Sequence, residues 1–205
     1  MHTNQSNVNQ FHVSFFNKER LLQAVQYGQI RTHNSRGLRD NWGLRNTNAL
    51  EDARRQTVGT LGEMALADAF RQPYVFTVNT FKAPDIVVGG MGLQAKASEK
   101  AEYLTIRRDA KDNEPYVLVH VDMPDGDPRA WTSGEAYGTI LGWMYPWQAR
   151  LIADVKPEYW RDPGRRNAPA IFIPAAELLT LEDLYSEVAT VGSITFSQRS
   201  DGSGA

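Results

Sequence analysis

Residues 84–98, PDIVVGGMGLQAKAS, decide the fold, because they hold two short aliphatic runs joined by a glycine-rich link. Asp85–Val88 and Leu93–Ala97 have the aliphatic and β-branched composition that is typical of strands. The link Gly89–Gly92 is short enough to close a hairpin between them. The sequence therefore predicts two antiparallel strands at this point.

The register of this hairpin decides which polar side chains meet. If Val88 pairs with Leu93, Asp85 lies opposite Lys96, and directly opposed residues have Cβ atoms about 5 Å apart. Side chains alternate along a strand, so the second strand sends these polar residues to one face: Gln94, Lys96 and Ser98. We expect Asp85, Gln94 and Lys96 to converge on one patch near the edge of a sheet.

A helix precedes the hairpin. Asn48 can cap a helix that runs to about Phe70, and acidic residues in its first turn suit the helix dipole. On this helix Glu63 shares a face with the apolar residues Leu66 and Ala67. An acid in line with an apolar stripe needs a partner or a cation. We expect Glu63 to reach the patch formed by the hairpin.

The rest of the chain adds further strands and helices. Strands are predicted at Tyr74–Val78, Pro115–Val121 and Ala170–Ile173, and helices at Pro146–Val155 and Ala175–Tyr185. Asn17 to Ile30 shows helical spacing, whereas Thr32–Asn48 is rich in turn formers and is predicted to be a loop. A helix followed by consecutive strands predicts an α/β fold, with a mixed central sheet flanked by helices.

The length and ends of the chain favour one domain. The sequence has 205 residues, of which 41% are hydrophobic, and this suits a single core. We expect one domain over residues 11–197, with its core at about 48–122, an extension at 123–197, and disordered tails at 1–10 and 198–205.

Composition excludes several classes of protein. Lys and Arg number 22 against 24 Asp and Glu, which excludes a uniformly basic nucleic-acid binder but allows a local basic patch. The absence of cysteine excludes disulfide scaffolds, thiolate zinc sites and Cys nucleophiles. No segment has the character of a signal peptide or a membrane span. We therefore expect a cytoplasmic protein.

Three short motifs resemble those of a known family. Gly62-Glu63-Met64-Ala65 on the helix, Pro84-Asp85 at the start of a strand and Gln94-Ala95-Lys96 on the next strand resemble the PD-(D/E)xK nuclease superfamily, which has a restriction-endonuclease-like fold. The resemblance implies that Asp85 and Glu63 bind a divalent metal, Mg²⁺ or Mn²⁺, and that Lys96 positions or activates the attacking water. It implies hydrolysis of phosphodiester bonds, with DNA as the expected substrate.

The residue types suit that chemistry. Hard oxygen ligands are the ones that Mg²⁺ prefers, and a metal together with an ammonium offsets the charge that builds on the phosphate in the transition state. Gln94 departs from the family pattern, because an acid usually stands there. It is a candidate third metal ligand through its amide oxygen, but it brings no charge.

Other interpretations stay open. Asp85 and Lys96 could form a plain cross-strand ion pair on a solvated face. The chain could be a non-catalytic module that binds nucleic acid or protein and keeps a nuclease-like fold. It could also be an interaction protein that presents its tryptophan-rich C-terminal half, which contains Trp143, Trp147 and Trp160.

Clusters of basic residues supply candidate contacts to a nucleic-acid backbone. Arg107 and Arg108 follow the second strand of the hairpin most closely and are the first candidates, and the others are Lys111, Arg54 and Arg55. Near-neutral net charge would then be the average of an acidic cleft and a basic rim. Enzymes that cut both strands are commonly dimers, so a homodimer is a further expectation that no sequence feature tests.

Overall fold

The computed structural model describes residues 12–40, 49–76, 83–126, 131–161 and 169–200. Its strands are β1 (Val13–Phe15), β2 (Ile86–Val88), β3 (Met91–Ser98), β4 (Tyr103–Arg107), β5 (Tyr116–Asp122), β6 (Tyr137–Met144), β7 (Trp160–Arg161) and β8 (Ala170–Pro174). Its helices are α1 (Lys18–Asp40), α2 (Ala49–Ala69), α3 (Pro146–Val155) and α4 (Leu181–Ser200), and short 3-10 turns lie at Pro157–Tyr159 and Ala175–Glu177.

The strands form two sheets. The large sheet has five strands in the order β1-β6-β5-β3-β2, and the small sheet has three in the order β4-β8-β7. Strands β3 and β5 run parallel, whereas the other neighbours run antiparallel. The predicted mixed α/β architecture is confirmed at this level.

Helix α2 packs on one face of the large sheet at very short range. A Cβ placed on Gly62 would lie 2.3 Å from the Cβ of Ala97 on β3, and one placed on Gly138 of β6 would lie 2.6 Å from the Cβ of Ala65. Glycine therefore stands on one side of each contact because no side chain fits there. Apolar residues of α2, β3, β5 and β6 fill the main core around these contacts.

Helix α1 runs antiparallel to α2 and is tied to it by ion pairs. Arg20 donates two hydrogen bonds to Asp68, at 2.7 and 2.9 Å, and Arg31 forms a similar pair with Glu63. Helix α1 extends to Asp40, so the prediction of a loop from Thr32 onward was wrong for residues 32–40; Thr32 is buried, and its hydroxyl donates to the carbonyl of Gly28 one turn earlier. Residues 41–48, with the predicted cap Asn48, lie outside the described residues.

The small sheet closes a second apolar cluster. Leu104 and Ile106 of β4 and Ile171 and Ile173 of β8 are buried there with Leu118 of β5. Helix α3, which was predicted correctly at Pro146–Val155, covers the cluster through Ala149 and Ala153. Strand β4 was not predicted, although its alternating burial is plain once its partner β8 is known.

The β2–β3 hairpin is confirmed, but its predicted register was wrong. Val88 pairs with Met91, not with Leu93. Gly89 and Gly90 alone form the turn, with φ values of 57° and 86° that favour glycine. Asp85 therefore precedes the strand opposite Gln94 instead of Lys96. The shift is by two residues, so each side chain keeps its predicted face of the sheet.

Two other elements differ from the prediction. Tyr74–Phe76 forms no strand, and residues 77–78 of that predicted strand lie outside the described residues. The closing helix, predicted at Ala175–Tyr185, spans Leu181–Ser200 and so includes residues 198–200 of the predicted disordered tail. A 3-10 turn and an isolated bridge between Trp143 and Leu179 precede it. In the described part of the chain, no helix is long and apolar enough to cross a membrane.

The close contact between α2 and β3 gives a test of the fold. Gly62→Ala places a methyl group against Ala97, a short side chain that cannot turn away, and we expect it to lower the free energy of unfolding by about 1–3 kcal/mol. Gly59→Ala is the matched control, since nothing lies within 4 Å of its Cβ position. That control should be neutral or stabilise by up to about 1 kcal/mol through helix propensity. Urea unfolding measures both, and equal effects of the two substitutions would contradict the packing described.

Candidate functional site

Asp85 is held in place by the backbone of β3. Its N–H donates to the carbonyl of Leu93 at 2.9 Å, and its carboxylate Oδ2 accepts the N–H of Ala95 at 2.7 Å. Asp85 is the residue directly before β2, and the two-glycine turn at the other end of β2 pairs this strand with β3. The side chain is thus fixed by the hairpin and does not depend on solvent for its position.

The charge of Asp85 is disfavoured by its surroundings. Burial, followed by the nearby charge of Glu63, raises the pKa of Asp85 to about 6, and the hydrogen bond from Ala95 and the charges of Lys96 and Arg31 only partly oppose this. Asp85 therefore interacts with Glu63 on α2 and with Lys96 on β3. Three of the predicted site residues lie together.

A plain cross-strand ion pair does not describe this arrangement. Asp85 and Lys96 are both described, and they form no direct ion pair. An ion pair on a solvated face would lower the pKa of the aspartate, whereas here the pKa of Asp85 is raised. Asp85 therefore marks a candidate functional site, because desolvated carboxylates with raised pKa values cluster at such sites.

Glu63 is held by two neighbours from distant parts of the chain. Arg31 donates to both carboxylate oxygens, at 2.7 and 2.8 Å, and the Tyr74 hydroxyl donates to Oε2 at 2.5 Å. The side chains of Arg31 and Glu63 are only 16% and 12% exposed. The hydrogen bond with Glu63 raises the pKa of Arg31, and burial with Glu63 raises the pKa of the Tyr74 hydroxyl. The partner that Glu63 was expected to need is Arg31.

Gln94 and Lys96 lie on the face of β3 that points away from α2. The Gln94 amide Nε2 donates to the carbonyl of Ala83 at 3.2 Å and to Glu114 Oε2 at 3.3 Å. Nothing in the described part of the chain donates a hydrogen bond to its amide oxygen. The ammonium of Lys96 lies 5.1 Å from the centre of the Tyr116 ring.

An open cleft borders this face of β3. We call it the Lys96 cleft; its volume is about 590 Å³, and its lining residues are Gln94, Lys96, Arg107, Asp109, Ala110, Lys111, Glu114 and Tyr116. A second cavity of about 300 Å³ also borders Lys96 and reaches Tyr103 and Thr105. A larger cavity of about 780 Å³ lies between the hairpin turn, Trp147 and α4, and shares only Glu114 with the cleft. The larger cavity is therefore not the one that the predicted site residues line.

The predicted nucleic-acid contacts divide into two groups. Arg107, which pairs with Asp109 at 2.9 Å, and Lys111, which pairs with Glu114 at 2.5 Å, both line the cleft. The guanidinium of Arg108 lies 5.9 Å from the Trp160 ring centre. The structure thus brings Arg107 and Lys111 to Lys96.

The residues of the other group lie on α2. Arg54 bonds Glu99 and the carbonyls of Met123 and Pro124, so it ties α2 to the end of β5. Arg55 is exposed on the same helix. Neither residue lines the Lys96 cleft.

Sequence reasoning missed several members of the site. Arg31 was not among the predicted site residues, and the structure pairs it with Glu63. Glu114 joins the Gln94 amide to Lys111, and Tyr116 lies beneath Lys96. The alternation of β5 could have placed Tyr116 beside β3, because the two strands are parallel neighbours in the large sheet.

The donor set matches a hard cation in kind. Asp85 and Glu63 supply carboxylates and Gln94 supplies an amide oxygen, which are the ligand types that Mg²⁺ takes. Burial and the nearby charge of Glu63 disfavour the ionised form of Asp85, and a bound cation would stabilise that form. The set is small, since the described residues contain no group of three or more His, Cys, Asp or Glu that could hold a metal.

The raised pKa of Asp85 predicts an unusual dependence of stability on pH. Its pKa is about 6 in the fold against 3.8 for the free group, so the folded state binds more protons between these values and loses stability as pH rises through them. Asp85→Asn removes the charge and keeps an oxygen for the Ala95 N–H. In EDTA we expect it to raise the free energy of unfolding by about 1–3 kcal/mol at pH 7.5, and by little at about pH 3.5.

Urea unfolding at the two pH values measures this effect. Asp154→Asn on α3 is the matched control, because Asp154 is an exposed aspartate far along the chain from the site. It should change stability equally little at both pH values. A destabilised Asp85→Asn protein at pH 7.5 would show that the ionised carboxylate stabilises the fold, contrary to the geometry.

Comparisons with known proteins add no identification. No family model matches the chain, and no curated protein and no solved structure matches it. The interpretation of the site therefore depends on the residues described above.

Proposed function

We propose that the protein is a metal-dependent nuclease that hydrolyses phosphodiester bonds, with DNA as substrate and Mg²⁺ or Mn²⁺ as metal. The observation that carries this proposal is the position of Asp85, half-buried and close enough to Glu63 and Lys96 for both charges to act on its carboxylate. Lys96, which acts on Asp85 through its charge, also lines the open Lys96 cleft, and this supports the proposal. The same reasoning proposes that the mixed sheet with α2 on one face is a restriction-endonuclease-like fold.

The residues that would hold the metal are Asp85 and Glu63, with Gln94 as the third proposed ligand; the Gln94 side chain lies on the face of β3 away from α2 and bonds Ala83 and Glu114 through its amide nitrogen. Bound there, the metal would supply a nucleophilic water and offset charge on the phosphate. Asp85 presents a carboxylate fixed by the Ala95 N–H. Glu63 is oriented by Arg31 and Tyr74, which hold its carboxylate near Asp85.

Lys96 would act on the phosphate or on the attacking water. Its position on β3 directs it to the cleft, and the Tyr116 ring supports the ammonium from one side. A fixed ammonium stabilises the negative charge that develops in the transition state. Arg107 and Lys111 on the cleft rim would contact neighbouring phosphates, which position a nucleic acid without reading its sequence.

A cleavage assay tests the proposal. Supercoiled, linear and single-stranded DNA are incubated with Mg²⁺ or Mn²⁺ and the wild-type chain, Asp85→Ala or Lys96→Ala. We expect either substitution to lower the cleavage rate by at least about 100-fold. Lys100→Ala is the matched control, because Lys100 is an exposed lysine four residues further along the chain. It should cleave as the wild type does, and a Lys96→Ala protein with wild-type activity would refute the proposed role.

A second candidate function has its own support. The Glu63 carboxylate is already neutralised by Arg31 and bonded by Tyr74, and Gln94 brings no charge to the site. These features favour a non-catalytic module that binds nucleic acid and has a nuclease-like fold. Calorimetry with Mn²⁺ distinguishes the two candidates: uptake by the wild type and none by Asp85→Ala supports the nuclease. No uptake by the wild type, with DNA binding retained, supports the module.

A further inference from the structure

The small sheet presents one face that is not buried in the protein. Along β4, Leu104 and Ile106 are buried, whereas the alternate residues Tyr103, Thr105 and Arg107 face outward. The register places Phe172 of β8 opposite Thr105, and Arg161 of β7 beside Ala170. We call this surface the small-sheet face and define it by Tyr103, Thr105, Arg107, Arg161 and Phe172.

A planar cation covers two aromatic rings on this face. The guanidinium carbon of Arg161 lies 4.9 Å from the centre of the Tyr103 ring and 4.7 Å from that of Phe172. The two rings meet edge to face, with centres 6.5 Å apart. In the described part of the chain, Arg161 has no carboxylate partner, although Arg107 pairs with Asp109. The face thus carries an uncompensated, planar positive charge supported by aromatic rings.

The small-sheet face continues into the site. Tyr103 and Thr105 line the cavity of about 300 Å³ that also borders Lys96. Arg107, the next outward residue of β4, lines the Lys96 cleft. A chain lying along β4 from Arg161 would therefore reach Lys96 without crossing the body of the protein.

We propose that the small-sheet face binds a single-stranded segment of nucleic acid and leads it to Lys96; this inference builds on the proposed nuclease function. Aromatic rings and arginine planes stack on unpaired bases, and such stacking tolerates any sequence. The bases of a duplex are stacked on one another inside the helix, so they cannot use this surface. The positive charge of Arg161 favours a phosphate backbone over an uncharged or basic partner.

Binding in EDTA tests the proposal apart from catalysis. Fluorescence anisotropy is measured with the full chain on oligo-dT, on oligo-rU and on a duplex, each of about 20 nucleotides or base pairs, which exceeds the site size of common single-strand binders. The variants are Tyr103→Leu and Arg161→Met. Phe15→Leu is the matched control, because Phe15 is an aromatic residue of β1 that is 66% exposed. Thermal unfolding confirms that each variant is folded.

We expect each of the two variants to weaken binding to single strands by about tenfold, which is the loss of one stacked base. Duplex binding should change by less than about twofold, and Phe15→Leu should bind as the wild type does. The oligo-dT and oligo-rU arms show whether the segment is DNA or RNA, and preference for either one supports the proposal.

Three results would overturn it: wild-type protein that binds neither single strand, variants that bind single strands normally, or equal losses on single strands and duplex. The last result would indicate a general electrostatic surface. Cleavage that depends on Asp85 while the variants bind normally would leave the nuclease function standing and refute only the small-sheet face. If the variants lose binding to single strands only and the wild-type chain cleaves no DNA, the small-sheet face is supported and the nuclease function is refuted.

Discussion

The contact between α2 and β3 is the constraint on which the site depends. Gly62 lies so close to Ala97 that any side chain at position 62 would overlap it. The next residue of α2 is Glu63, so the same contact that seals the core also delivers a carboxylate to the edge of the sheet. On the other side of that edge, the hairpin turn at Gly89 and Gly90 fixes Asp85. Packing, and not attraction between charges, therefore brings Glu63 and Asp85 together.

As a result, the negative charges of Glu63 and Asp85 are not equally compensated by neighbouring groups. Arg31 and Tyr74 bind the Glu63 carboxylate directly, whereas the Asp85 carboxylate has only the Ala95 N–H as a direct partner among the described residues. Unpaired buried charge is costly, and proteins retain it chiefly where function needs it. The acid that faces Lys96 is thus the less compensated of the two, and the one better able to take a cation as a further partner.

Local patterns predicted part of this arrangement, and long-range packing decided the rest. Alternation along β3 correctly placed Gln94 and Lys96 on one face, because side-chain parity does not depend on register. The register itself was wrong, since two glycines with positive φ close the turn and a four-residue link was assumed. The pairing of Arg31 with Glu63 joins residues 32 positions apart, and no local pattern contains that information. Helix α1 likewise continues through the turn-forming residues after Thr32, from a point where Arg31 is paired with Glu63 of α2.

The small sheet explains why the C-terminal part of the chain belongs to the site. Strand β4 comes directly after β3, but its only strand partner in the described part of the chain is β8, whose paired residues lie 63 to 71 positions later. Without β8, β4 would have no strand partner, and Leu104 and Ile106 would lack the apolar partners Ile171 and Ile173. Arg107 and Tyr103, which border Lys96, are therefore positioned by residues 170–174. A chain cut after β5 would contain Asp85, Glu63 and Lys96 but would lack β8, the strand that positions Arg107 and Tyr103 beside Lys96.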